Sequence, residues 1–166
     1  MQAVLVLSGA GGGAADATIA AGLSRYDVSA VQKLWAKALE RRAADPDGAV
    51  TAATTLLEEV CKHIIDDGGE EGWRIKWDIP KLYAETAKLL NIAPAQDQEN
   101  VIRAIFGNCQ SVVQNIGSLR NKGGDAHGGG RARVPFEPRH ATLAVNLAGS
   151  MALFLIETWQ AKREEI

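Results

Sequence analysis

The sequence predicts an all-α fold, a bundle of about five helices. Three observations carry this. Apolar residues recur at helical spacing through long windows, Asx and proline residues stand where helices should begin, and no segment reads as one of a pair of strands. At 166 residues the chain fits one domain and can bury a sizeable core.

The first 25 residues stand apart. Met-Gln-Ala-Val-Leu-Val-Leu opens the chain, and Ser8-Gly-Ala-Gly-Gly-Gly-Ala-Ala follows. Residues 1–25 read as a flexible Gly/Ala-rich segment ahead of a helical domain over 26–166. No Gly-Lys-Ser/Thr follows the glycines, so they do not form a phosphate-binding loop of the nucleotide-hydrolase kind.

Asp27 and Ser29 are candidate caps of a helix that ends near Ala44 and places Val31, Leu34, Trp35, Ala38 and Leu39 on one face. Asp45 and Pro46 open the next, whose apolar face is Val50, Ala53, Leu56, Leu57, Val60, Cys61, Ile64 and Ile65. Gly68-Gly69 stops it. The alternation Trp73-Arg-Ile-Lys-Trp-Asp-Ile79 is one extended stretch without a partner, so it reads as an ordered connection. Pro80 then opens a helix carrying Leu82, Tyr83, Ala87, Leu89 and Leu90.

A further helix starts near Gln96-Asp97 and runs to about Leu119, with a stripe of Val101, Ile102, Ile105, Phe106, Cys109, Val112, Val113, Ile116 and Leu119. A glycine-dense loop spans 121–137. The last helix, from about Pro138 to Lys162, is apolar nearly all round between Leu143 and Ile156, as a central or interface helix is. Ala144, Ala148 and Ala152 permit close approach of a neighbour.

Composition narrows the function classes. A net charge of −2 gives no global attraction to nucleic acid or anionic lipid. Cys61 and Cys109 lie in apolar helical patterns and read as free core thiols, without zinc-ligand spacing, so neither a metal site nor a cofactor is expected. The opening apolar run lacks a basic start, and the run Ala141–Ile156 is shorter than the roughly 20 residues that span a bilayer. A cytoplasmic protein without membrane partners is the expectation.

Charge concentrates in one place. From Leu119 to Arg139 five Lys/Arg (Arg120, Lys122, Arg131, Arg133, Arg139) face two acids (Asp125, Glu137), so this stretch is +3 and the remainder −5. Such a patch can hold a phosphate backbone. Gly123, Gly124, Gly128, Gly129 and Gly130 surround Asp125-Ala-His127, and let backbone N–H groups approach an anion closely.

His127 is suited to proton transfer near neutral pH, and Arg120 offers a fork matching phosphate oxygens. Together they could cleave RNA without metal. A base takes the ribose 2′-proton, the oxygen attacks the adjacent phosphorus, an acid protonates the leaving 5′-oxygen, and arginine offsets the charge building on the phosphoryl oxygens. One histidine does not easily serve as both base and acid. His63, on a helix, and His140, at a helix start, read as structural or surface groups. A two-fold dimer supplying two copies of His127 and Arg120 is the simple solution.

Arg120-Asn121-x5-His127 resembles the motif of HEPN domains: an arginine, a polar residue after it, and a histidine after four to six intervening residues, here six. A wider stretch, Ala49 to Trp159, is similar to the C-terminal domain of bacterial abortive-infection proteins, a HEPN relative. It includes Ala53 to His63, Leu82-Tyr83, Gly107 to Val113, Leu119 to Gly128 and Arg139 to Ala148.

The resemblance implies a bundle of four to five helices, a homodimer with the motif at the interface, and RNA cleavage in phage defence or toxin–antitoxin settings, with an antitoxin or regulatory partner. It makes Arg120 and His127 catalytic and gives Asn121 the orienting of phosphate or histidine. Beside these, Asp125 is a candidate orienter of His127. Lys122, Arg131, Arg133 and Arg139 are candidate RNA contacts. The competing functions are a HEPN module that binds RNA or a nucleotide without turnover, and a dimerisation or partner-docking domain.

Overall fold

The computed structural model describes residues 13–26, 28–69, 77–95, 97–123 and 136–165, with the backbone alone for 120–123. Among them are six helices: α1 (Ala14–Ser24), α2 (Ser29–Arg41), α3 (Pro46–Asp67), α4 (Ile79–Leu90), α5 (Asn100–Gly123) and α6 (Pro138–Glu164). The all-α expectation holds.

The starts follow local chemistry. Asp45 accepts the Gly48 N–H at 3.0 Å and Pro46 takes the first turn of α3, where its missing N–H costs nothing. Asp78 caps α4 in the same way through the Lys81 N–H at 3.1 Å. Ser29, expected as a cap, is instead the first residue inside α2; Val28 precedes it without a side-chain cap. α4 ends on Asn91 in the left-handed conformation, φ 61°, which asparagine tolerates.

α3 and α6 form the centre. Ala141, Ala144, Val145, Ala148, Ala152, Leu155 and Ile156 of α6 are buried, as are Val50, Ala53, Leu56, Leu57, Val60, Cys61, Ile64 and Ile65 of α3. α2 packs on α3 through Val31, Trp35 and Ala38, and α4 closes the other side with Leu82, Tyr83, Ala87 and Leu90. At 27 residues α6 is long and apolar enough to cross a membrane, but half of its most apolar window is buried inside this bundle.

The sixth helix is a correction to the reading of residues 1–25 as flexible. Residues 1–12 lie outside the described residues, but 14–24 are ordered as α1, with Ile19 and Leu23 buried. Local periodicity is weak in Ala-Ala-Asp-Ala-Thr-Ile-Ala-Ala-Gly, so its order comes from docking rather than propensity.

The clamp is polar. Asp16 pairs with Arg42 at 2.8 Å, and Arg42 also donates to Asn146 of α6 at 3.1 Å. The two charged side chains are 8% and 12% exposed, so solvent screens them little. Further along, Gly22 meets Leu153, and Gly149 leaves room for the Trp35 ring and for Ile19. Asp16 reaches Asn146 through Arg42, Ile19 meets Gly149 and Gly22 meets Leu153, an order that runs in the same direction along both helices, so α1 lies parallel to α6.

Removing Asp16 leaves the Arg42 guanidinium in place without its buried carboxylate. Asp16→Ala is expected to lower unfolding free energy by about 3 kcal/mol, read from the urea midpoint at constant m value. An unchanged midpoint would show that the pair contributes nothing.

Candidate functional site

The segment predicted to carry the chemistry joins the end of α5 to the start of α6. Arg120, Asn121 and Lys122 occupy the last turn of α5. Cationic residues there complement the negative end of the helix dipole. Asp125, His127, Arg131 and Arg133 lie outside the described residues. Arg139 stands in the first turn of α6, exposed, and pairs with Glu137 at 2.7 Å. Both side chains are largely exposed, so solvent screens the pair and it holds Arg139 only weakly.

Both ends of the segment are pinned. On the α5 side, Val113 and Ile116 are buried, Leu119 packs partly against the core, and Gly117 abuts Ile79 of α4. On the α6 side, Phe136 packs partly against the core and its N–H donates to Asp47 Oδ1 of α3 at 3.4 Å. The bundle therefore sets where the Arg120 end and the Phe136 end stand, whatever lies between.

The other two histidines match their structural reading. His63 is half-buried on α3 and meets the Tyr26 ring edge-to-face, centroids 6.4 Å apart. His140 is exposed, and its Nδ1 accepts the Glu137 N–H at 3.3 Å in a capping box that starts α6.

Cys61 and Cys109 are free thiols. Burial pushes the Cys61 thiol up to about 12, with the Thr86 hydroxyl opposing and Glu58 adding to the rise. Burial also raises Cys109, less completely enclosed on α5. The Tyr83 hydroxyl is buried and has no hydrogen-bond partner among the described residues, and burial raises it as well. These groups are protonated at neutral pH and shaped for packing.

The α5 stripe is buried only in its second half. Val101, Ile102 and Ile105 are exposed, Val101 at 62%, because α4 and α3 cover the end nearer Ile116. Periodicity identifies an apolar face but not how far a neighbour extends along it. The residues that sequence reasoning missed are Asp16, Arg42, Asn146 and Asp47. An asparagine inside the apolar α6 pattern was the available signal for the first three.

The family model described as HEPN-like domain, Abi_C, matches residues 29–159. The match spans α2 to α6 and encloses the whole α5–α6 connection. No curated protein and no solved structure gives a significant match.

Two outcomes are expected here. Gly117→Val should collide with Ile79 and lower stability by roughly 1–3 kcal/mol, seen as a lower melting temperature; an unaltered value would mean that α5 and α4 separate freely at this point. At pH 8, native Cys61 should resist a thiol reagent until the chain unfolds, while Cys109 reacts slowly. A thiol raised on folding favours the folded state below its ordinary pKa, and that contribution is lost as pH climbs toward 12. Prompt modification of both thiols in the native protein would refute the enclosure of Cys61.

Proposed function

The chain belongs to the HEPN-like domain family, and from that membership we propose that it is a metal-independent endoribonuclease of abortive-infection or toxin type. The observation that carries the reading is the Arg120-Asn121-x5-His127 motif at the junction of α5 and α6, inside the matched region. Its basic surroundings, +3 on an otherwise acidic body, suit an RNA backbone.

In this reading His127 moves the proton and Arg120 offsets the charge developing on the phosphoryl oxygens. Asn121 orients the phosphate or the imidazole, and Asp125 is available to fix the histidine tautomer. Lys122, Arg131, Arg133 and Arg139 hold flanking phosphates. Attack by the 2′-oxygen leaves a 2′,3′-cyclic phosphate on one product and a free 5′-hydroxyl on the other. One motif histidine per chain makes the pair of acid and base a property of a homodimer. A cytoplasmic setting and a regulatory or antitoxin partner belong to the same proposal.

The test is cleavage of single-stranded RNA by the purified protein in EDTA. Wild type should cut RNA and leave the 2′-deoxy strand intact. Arg120→Ala and His127→Ala should each lose about 100-fold or more while remaining folded. Cleavage equal in wild type and His127→Ala would falsify the proposal. RNA that binds wild type, is released by Arg120→Ala and is never cut would replace it with the binding module.

A further inference from the structure

A cavity of about 350 Å³ lies between α3, α4 and α6, lined by Ile65, Trp77, Glu85, Lys88, Leu89 and Lys162. That volume is at the lower end of the roughly 300–1,000 Å³ usual for small-molecule sites. Ile65 is buried, and Trp77 and Leu89 are half-buried, so half of the lining is apolar. The Lys81 ammonium sits 5.2 Å from the centroid of the Trp77 ring, a cation–π contact that helps hold this flat wall in place.

The charges of the lining do not cancel. Glu85 Oε1 accepts from Lys81 at 2.7 Å and from Lys88 at 3.0 Å, so Lys88 has its counter-charge. Lys162 is half-buried, and its one partner among the described residues is the Leu89 carbonyl in the last turn of α4. An ammonium has three N–H donors, and a single carbonyl leaves two of them to spare. Holding a cation partly out of water without a counter-charge costs free energy, which a bound anion offsets. Two lysines and one glutamate leave the lining at +1, which one negative charge neutralises.

We propose that this cavity binds a small aromatic carboxylate, a monoanion with a flat apolar body. The carboxylate meets the Lys162 ammonium, and the ring lies against Trp77, Ile65 and Leu89. An aromatic body suits a tryptophan wall because offset or edge-on rings attract beyond the area they bury. Glu85 repels a second negative charge, which favours a carboxylate over a dianionic phosphate. None of the lining residues belongs to the basic segment Leu119–Arg139, and the site does not depend on whether RNA is cleaved.

The experiment titrates the full chain by calorimetry with indole-3-acetate, indole-3-acetamide and tryptamine, which share one ring and are anionic, neutral and cationic. The acetate should bind about tenfold tighter than the amide, as one hydrogen bond to a charged group allows, and the amine should bind least. In Lys162→Met the acetate and the amide should bind alike, whereas a loss of structure alone would weaken both and keep their ratio. Leu89→Trp fills the cavity and retains the carbonyl that Lys162 uses, so it should abolish binding; it decides the matter if Lys162→Met does not fold. No binding of the acetate to wild type overturns the proposal, as does equal affinity for the three probes. So does an acetate-to-amide ratio that survives Lys162→Met, or acetate binding undiminished in Leu89→Trp. The probes carry neither ribose nor phosphate, so their failure leaves the cleavage of RNA in EDTA as a separate result.

Discussion

The packing of α6 against α3 is the constraint from which the rest follows. α6 presents Ala141, Ala144, Ala148 and Ala152 inward, and small side chains let neighbouring backbones come close. A close central pair then fixes where α2, α4 and α1 can sit. Gly149 shows how little space remains: the Trp35 ring fills the volume that a side chain there would take. Leucine-sized residues along this line would push α2 and α1 away together.

That centre also explains why a polar clamp is tolerated. Asn146 interrupts an apolar helix, and Asp16 and Arg42 are almost fully buried. Burying a charge is costly unless it is paired and hydrogen-bonded. Here the carboxylate, the guanidinium and the amide meet one another's needs across three helices. The clamp attaches α1, which lies outside the family match over 29–159, to helices inside it. An element added ahead of the family domain is thereby made part of the core.

The functional segment depends on the same scaffold differently. Its ends are held by apolar packing at Ile116 and Phe136 and by the Asp47 hydrogen bond. At the α6 end Glu137 pairs with Arg139 and stands at the N-cap of α6.

The sequence by itself determined the helices from α2 to α6 and the family. Caps at Asp45 and Asp78, stops at Gly68 and apolar spacing are local signals, and the Arg120-to-His127 motif is a matter of residue order. Only the tertiary structure decided the fate of α1, whose alanine-rich turns are ordered by contacts with residues more than a hundred positions away. It alone showed that Val101, Ile102, Ile105 and Leu143 lie exposed at the unpaired reaches of otherwise buried stripes. Periodicity is set by the geometry of one helix, but burial is set by where its neighbours end.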